Sequence, residues 1–169
     1  EINDKFVRQA FGIESVVNKH KASRCRLDFN PFLKKLLNKS FKEFNSEAQK
    51  LSLLGILRLP QGFSALTVLP TGGGKSLITQ ALAYQQEGLT ISIVPTISLA
   101  QDQEIAAKAA IDRIASQEIM CYSSGSGKLS DIVTLIEQKK LRLLIISPEA
   151  LIRNKEFAAV IKKANEDHY

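Results

Sequence analysis

Residues 71–76 form a run, Thr-Gly-Gly-Gly-Lys-Ser, whose residue types and spacing suit the binding of phosphate. Glycines let the backbone turn tightly enough to aim successive N–H groups at one anion. A lysine placed after them reaches the outer phosphates of a nucleotide, and the hydroxyl of the next residue can bind Mg²⁺. The run predicts a phosphate loop with Lys75 as its catalytic residue and with these residues in contact with a nucleotide: Thr71, Gly72, Gly73, Gly74, Lys75 and Ser76.

The segments on either side of this run are those that a phosphate loop requires. An apolar run at residues 65–69 predicts a strand that leads into the loop, and residues 75–86 carry apolar side chains at helical spacing. The positive end of that helix adds to the attraction for phosphate. The strict pattern has a glycine six residues before the lysine, and Leu69 stands there instead. The alternative interpretation is a glycine-rich turn that precedes Lys75 and Ser76 by chance.

From residue 46 onward the chain alternates between helix and strand patterns, which is typical of parallel βαβ units. The strands are short continuous apolar runs, as expected for strands buried on both faces of a sheet. The prediction is an α/β fold with a mostly parallel sheet, with helices at residues 46–58, 75–86, 98–116, 129–139 and 149–165, and with strands at residues 63–69, 90–94, 119–122 and 141–147.

Composition places the chain among globular proteins. Its 169 residues are 44% hydrophobic and 24% charged, which excludes disordered and collagen-like classes. The apolar runs are far shorter than the roughly 18 residues that a bilayer span needs, so no membrane partner is expected. A net charge of +6 favours a polyanionic partner. The chain has two cysteines and no C-x-x-C pair, so we expect a reducing cytosol, with Cys121 in the core.

Residues 1–45 differ in pattern from the remainder, because they are rich in lysine and their apolar residues are scattered. Asn30 and Pro31 suit the first positions of a helix, and the apolar residues that follow are Phe32, Leu33, Leu36 and Leu37. We therefore predict a helical, basic accessory segment at residues 1–45 and a nucleotide-binding part at residues 46–169.

Three blocks of sequence, in order, resemble the RecQ-like superfamily 2 DNA helicases. Residues 69–76, Leu-Pro-Thr-Gly-Gly-Gly-Lys-Ser, resemble motif I, in which a bulky apolar residue occupies the position of Leu69. Residues 94–103, Val-Pro-Thr-Ile-Ser-Leu-Ala-Gln-Asp-Gln, resemble motif Ia, and residues 146–151, Ile-Ser-Pro-Glu-Ala-Leu, resemble the Ser-Pro-Glu block. The resemblance covers roughly residues 41–155. It implies the N-terminal part of the first RecA-like lobe of a helicase or translocase that uses ATP and Mg²⁺, with Ser76 as the metal ligand.

The resemblance also gives Gln49 a role, since these helicases place a glutamine there to contact adenine. An amide can offer a donor and an acceptor together to the base edge. The alternative is helix capping, because Ser46 and Gln49 have the spacing of a capping box. The family usually has an arginine at the position of Ser46, so any packing of an arginine on the base is not expected.

Four polar residues in the other two blocks are candidates for contact with DNA: Thr96, Ser98, Gln103 and Ser147. Hydroxyls and backbone N–H groups at a strand end can hold the phosphates of a single strand without reading its bases. The alternative for Ser98 is an N-cap, and the alternative for Ser147 with Pro148 is the start of a helix, where both residue types are favoured. In the family a leucine usually occupies the position of Thr96.

An acidic Asp-Glu motif, which such motors need to organise Mg²⁺ and water, is not found in the sequence. The pair Glu166-Asp167 follows a lysine-rich helix pattern and is rejected. Because the first residue is Glu1 rather than Met, we expect a longer parent chain that supplies the acidic motif and the second RecA-like lobe.

Several expectations follow from the resemblance. The strand at residues 65–69 should lack hydrogen-bonding partners here, since in RecA-like lobes its neighbours come later in sequence. The expected partner is single-stranded or duplex DNA in preference to RNA, and the expected location is the cytoplasm, nucleoid or nucleus.

The alternative function is a nucleotide-binding regulatory or scaffolding module without motor activity, while a small-molecule kinase lacks supporting motifs.

Overall fold

The computed structural model describes residues 25–26, 43–111, 114–123, 127–166 and 169. The strands are β1 (Cys25–Arg26), β2 (Glu43–Phe44), β3 (Thr90–Ile93), β4 (Ile119–Tyr122) and β5 (Leu143–Ile146). The helices are α1 (Glu47–Leu57), α2 (Ser76–Gln85), α3 (Ile97–Ala110), α4 (Leu129–Glu137), α5 (Pro148–Arg153) and α6 (Lys155–Glu166), and a 3₁₀ turn at Ser116–Glu118 precedes β4.

The main sheet has three parallel strands in the order β3-β5-β4. Thr90 and Ile119 both align with Leu143, on opposite sides of β5. All four residues of the central strand are buried, which explains its uninterrupted apolar sequence. The prediction of an α/β fold with a parallel sheet is confirmed.

Alternating residues of β5 enter two separate apolar cores, one on each face of the sheet. The core that contains Leu143 and Ile145 is closed by residues of α1, α2 and α3: Leu53, Leu77, Ala81, Ala100 and Ala107. The core that contains Leu144 and Ile146 is closed by residues of α4, α5 and α6: Ile132, Ile136, Ala150, Phe157 and Ala164. The phosphate-loop helix α2 is therefore packed on the same face as α1 and α3.

The strand predicted at residues 63–69 is not formed. None of the other described residues pairs with this segment, and Leu66 and Val68 are 78% and 83% exposed. The apolar run at residues 65–69 predicted a strand, but a strand needs a neighbour with which to exchange hydrogen bonds. That residues of a longer chain pair with residues 65–69 stays a prediction.

The single helix predicted at residues 149–165 is two helices, because Asn154 interrupts it. The Asn154 backbone has φ −101° and ψ 99°, which is outside the helical region. Its side-chain Oδ1 accepts a hydrogen bond from the Phe157 N–H at 3.1 Å, and its Nδ2 donates to the Tyr122 hydroxyl at 3.3 Å. The helix predicted at residues 98–116 also ends earlier, at Ala110.

In the region before α1, β1 and β2 form a short antiparallel ladder in which Cys25 aligns with Phe44. Phe44 is buried in the core beside α1. The helix predicted from Asn30 lies outside the described residues. No helix among the described residues combines the length and the apolar character needed to cross a membrane.

Arg142 is the residue directly before β5, and its side chain binds the C-terminal end of α2. Its guanidinium donates hydrogen bonds to the carbonyl oxygens of Ala83, Tyr84, Gln86 and Glu87. A cation at a helix C-terminus is favourable because the last carbonyl groups carry partial negative charge. This contact holds α2 against the sheet and so helps to fix the loop at its other end.

Candidate nucleotide-binding site

The phosphate loop joins the extended segment before it to α2 through one tight turn. The Gly73 N–H donates to the Pro70 carbonyl at 2.9 Å. A Cβ on Gly73 would lie 2.8 Å from that same oxygen, so only glycine fits without movement of the backbone. Gly74 has φ +75°, and a Cβ there would overlap the Gln49 side-chain amide. The glycine requirement predicted from the sequence therefore has a steric cause at these two positions.

The N-terminus of α2 has free donors. Lys75 is the N-cap residue, and no side chain caps this helix. Among the described residues, the backbone N–H groups of Gly72, Gly74, Lys75 and Ser76 have no hydrogen-bond acceptor. Unpaired N–H groups at the positive end of a helix form an anion site. Thr71 and the Ser76 side chain are also exposed beside them.

The Lys75 ammonium folds back onto the loop that precedes it. Its Nζ donates to the carbonyl oxygens of Leu69 at 2.6 Å and Pro70 at 2.8 Å. The residue at the departure from the strict pattern, Leu69, is 6% exposed, so its side chain belongs to the core while its carbonyl contacts the ammonium. A phosphate bound at the loop would offer this cation a charged partner in place of two neutral oxygens.

Gln49 is buried, with 2% of its surface exposed, and its amide faces the loop. Its Nε2 donates to the Gly74 carbonyl at 3.0 Å, and its Oε1 accepts from the Asn45 N–H at 2.8 Å. The capping interpretation is partly realised, because the Ser46 hydroxyl accepts from the Gln49 N–H at 3.1 Å. The contact with Gly74 was not predicted, since sequence spacing carries no signal for a hydrogen bond across 25 residues.

A cleft of about 640 Å³ lies beside the loop. The loop itself lines one side, and the other side is formed by the end of β3 and the first turns of α3: Ser92, Ile93, Val94, Leu99 and Gln103. The structure therefore brings Gln103, predicted to contact DNA, to the same cleft as the phosphate loop.

The remaining predicted contacts with DNA lie apart from the lining of this cleft and start helices. Thr96, rather than Ser98, is the N-cap of α3, because its hydroxyl accepts from the Leu99 N–H at 3.3 Å. Ser98 is exposed, and its hydroxyl lies 3.4 Å from that of Thr96. Ser147 is 6% exposed and caps α5 by accepting from the Ala150 N–H at 3.3 Å. Capping is therefore the role that the geometry supports for Ser147.

A cluster of ionisable side chains that the sequence did not indicate joins α3 to β4. Burial by itself raises the pKa of Glu104, but hydrogen bonds from Cys121 and Lys108, with the charges of Lys108 and Lys128, lower it overall. The Lys108 and Lys128 ammonium groups lie 2.7 and 3.9 Å from its carboxylate oxygens. Burial, reinforced by Glu104, raises the pKa of Cys121 to about 11, so this thiol is protonated at neutral pH.

No group of acidic, histidine or cysteine side chains suited to a metal ion occurs among the described residues. The rejected pair Glu166-Asp167 is only partly described, since Asp167 lies outside those residues. The Ser76 hydroxyl at the start of α2 is an oxygen of the kind that Mg²⁺ accepts as a ligand.

A parallel sheet, a glycine-rich turn and a helix start with unpaired donors together define a nucleotide-binding α/β protein of the phosphate-loop class. The family model for the DEAD/DEAH box helicases matches residues 46–165, and the chain belongs to this family. Its fold is accordingly the RecA-like fold of that family, here with the three-stranded part of the sheet formed.

Relatives of known name support the resemblance to RecQ-like helicases. ATP-dependent DNA helicase Q4 of Mus musculus is 37% identical over 103 residues, which are 57% of this chain and 8% of that protein. ATP-dependent DNA helicase Q1 of Rattus norvegicus is 33% identical over 59% of this chain and 16% of its own length. ATP-dependent DNA helicase RecQ of Synechocystis sp. is 34% identical over 52% of this chain and 18% of its own length. The chain thus matches less than a fifth of the length of each relative.

Proposed function

We propose that this chain is the ATP-binding part of a nucleic-acid-dependent ATPase motor, a RecQ-like DNA helicase or translocase. The observation that carries the proposal is made at the start of α2. Backbone N–H groups there have no acceptor among the described residues, and the side chains of Lys75 and Ser76 lie beside them. Membership of the DEAD/DEAH box helicase family and the names of the relatives favour a motor over other phosphate-loop proteins.

ATP and Mg²⁺ are the ligands that fit these groups. The N–H groups of Gly72, Gly74, Lys75 and Ser76 would surround the phosphates, with Thr71 and Gly73 shaping the turn. Lys75 would leave the Leu69 and Pro70 carbonyl oxygens and compensate the charge that develops on the outer phosphate during transfer to water. The Ser76 hydroxyl would hold Mg²⁺, which neutralises phosphate charge when bound.

Gln49 is proposed to contact adenine. Both of its amide atoms are already bonded, so the contact requires either a second bond from each atom or a local movement that exposes them. If Gln49 reads the base, Gln49→Ala should weaken the binding of ATP more than that of GTP. Equal weakening of both nucleotides, measured by competition, would leave only the capping and loop contacts.

Thr96, Ser98 and Gln103 are proposed to lie on the nucleic-acid side of the motor, where α3 begins. The exposed hydroxyls of Thr96 and Ser98 support this for the first two residues. Ser147 is the weakest of the four candidates, because its hydroxyl is buried and bonded. Proposed partners are therefore DNA, the second RecA-like lobe and the acidic motif of a longer chain, acting in the cytoplasm, nucleoid or nucleus.

The decisive experiment is an ATPase assay of the full-length protein with and without single-stranded DNA, duplex DNA and RNA, repeated over a range of salt. We expect stimulation by DNA that falls steeply as salt rises, because phosphate contacts release counterions. Saturable ATP binding without stimulation by any nucleic acid would favour the alternative, a regulatory or scaffolding module.

A further inference from the structure

The side chain of Asn45 contacts the phosphate loop. Asn45 precedes α1 and lies outside the three blocks of sequence that resemble helicase motifs. Its Nδ2 donates to the Gly72 carbonyl at 3.3 Å, across 27 residues of sequence. Its backbone N–H holds the Gln49 Oε1 at 2.8 Å, and Gln49 in turn donates to the Gly74 carbonyl. Two amides on one side of the loop thus hold two of its carbonyl groups.

Holding these carbonyl groups determines where the loop's N–H groups point. In a planar trans peptide the carbonyl and the next N–H point in opposite directions, and the described chain has no cis peptide bond. With the Gly74 carbonyl directed at Gln49, the Lys75 N–H points away from α1, where it is unpaired. With the Gly72 carbonyl directed at Asn45, the Gly73 N–H points toward Pro70, with which it closes the turn.

The Gly74 carbonyl also accepts from the Leu77 N–H at 3.2 Å, whereas the partner of the Gly72 carbonyl among the described residues is the Asn45 side chain. Gly72 and Gly74 both have φ +75°. Glycine adopts positive and negative φ about equally readily, so its own backbone preference does not select this conformation. A Cβ on Gly74 would lie 3.1 Å from Asn45 Nδ2, so the amides pack directly against the loop backbone. Without the Asn45 side chain, the Gly72–Gly73 peptide would keep, among the described residues, only the bond from its N–H to the Pro70 carbonyl.

We propose that Asn45 is a positioning residue that, together with Gln49, orients the phosphate loop for binding the phosphate chain of a nucleotide. The proposal rests on the nucleotide-binding function proposed above. It makes Asn45 act on the phosphates through the loop backbone, whereas Gln49 also has the base within its proposed role. Loss of the Asn45 side chain should therefore affect every ligand that carries the phosphates, irrespective of the base.

The test compares Asn45→Ala with Ser46→Ala in the full-length protein. Asn45 is exposed, so its truncation should not disturb the core. Ser46→Ala removes the N-cap of the same helix and leaves the bond from Asn45 to Gly72 in place. The matched control thus weakens α1 without releasing the loop.

Two measurements are made on each variant. In the ligand-free protein, amide hydrogen exchange of the peptide covering residues 69–77 should be about 3- to 10-fold faster in Asn45→Ala, because one hydrogen bond is lost. In competition with a fluorescent ATP analogue, the Kd values of ATP, GTP and inorganic tripolyphosphate should all rise by a similar factor of about 3 to 10. Ser46→Ala should match the wild type in loop exchange and in the three Kd ratios.

Each outcome decides between the two proposals. Unchanged loop exchange in Asn45→Ala, or equal acceleration in Ser46→Ala, would overturn the positioning role. If exchange is faster in Asn45→Ala but the wild-type protein binds none of the three ligands, the loop contact is supported and the nucleotide-binding function is overturned. A loss confined to ATP, with GTP and tripolyphosphate unchanged, would contradict an action through the phosphates.

Discussion

The phosphate loop and the turn before α3 have the same local design and opposite hydrogen-bond states. Each joins an extended segment to the start of a helix on the same face of the sheet. In the turn before α3, the Thr96 hydroxyl accepts from the Leu99 N–H, and its carbonyl accepts from the Ala100 N–H at 3.1 Å. In the phosphate loop, no side chain caps α2, and Lys75 and Ser76 keep free N–H groups.

The difference shows that the N–H groups at a helix N-terminus can either be capped and stabilise the fold or stay unpaired and bind a ligand. A capped start satisfies its own donors and contributes about 1 kcal/mol to stability. An uncapped start gives up that stabilisation, and its exposed donors remain bonded to water until an anion replaces the water. Because Thr71, Lys75 and Ser76 are exposed, leaving these donors unpaired costs the fold little.

The largest effect should come from Lys75→Ala, which removes the charge from the ligand-binding start. We expect ATPase activity of the full-length protein to fall by on the order of 10²-fold or more, because phosphate charge in the transition state loses its compensation. Lys155→Ala, at the exposed start of α6, is the matched control and should retain activity. A steady-state assay in which Lys75→Ala stays within a few-fold of wild type would refute the assignment.

The next effect should come from Gly74→Ala, because a methyl group there overlaps the Gln49 amide and needs φ +75°. Nucleotide affinity should fall at least about 10-fold, corresponding to the 1–2 kcal/mol or more of backbone strain and lost loop geometry. Gly127→Ala provides the control, since Gly127 has φ +68° with open space around it. Equal losses of ATP affinity in both variants would mean that backbone strain alone, and not the loop contact, is responsible.

A smaller effect distinguishes the two kinds of helix start directly. Ser147→Ala removes the cap of α5 and should destabilise the protein by about 1 kcal/mol, a decrease of roughly 2–4 °C in melting temperature. Ser76→Ala should leave the melting temperature of the ligand-free protein unchanged while reducing Mg²⁺-dependent ATP hydrolysis. If Ser76→Ala destabilised the ligand-free protein as much as Ser147→Ala, the contrast between the two starts would be wrong.

The smallest effect concerns α3 beyond its start, at Glu104. Its lowered pKa means that the folded state favours the carboxylate, so this contribution to stability is present above about pH 4.5 and is lost as the pH falls through the folded-state pKa. Thermal melts from pH 7 to pH 3 should therefore show a steeper loss for wild type than for Glu104→Gln. Asp102→Asn, on the same helix, should keep the steeper wild-type loss.

Much of the fold and of the phosphate loop could be predicted from the sequence because both depend on local requirements. A strand buried on both faces must be apolar throughout, which identified the central strand β5. A loop that turns with φ near +75° needs glycine, which identified Gly72 and Gly74. The spacing of Ser46 and Gln49 likewise predicted the cap of α1.

Other features depended on which segments meet in space, and the sequence was silent or misleading about them. Residues 63–69 have the pattern of a strand, but pairing is a property of two segments, and none of the other described residues pairs with them. The break at Asn154 follows from a hydroxyl of β4, Tyr122, that lies within reach of its side chain. The choice of Thr96 over Ser98 as the cap of α3 depended on the extended backbone at Thr96, with φ −135° and ψ 154°.

The site shows the same division most clearly. The types of residue that bind phosphate are written in six consecutive positions, because a backbone cradle, a cation and a hydroxyl must all reach one ligand. The orientation of that cradle is set by amides of Asn45 and Gln49, which lie 27 and 25 residues from the carbonyl groups that they hold. Only the packing of α1 beside α2 brings them together, since a hydrogen bond requires a distance near 3 Å that no sequence spacing can specify.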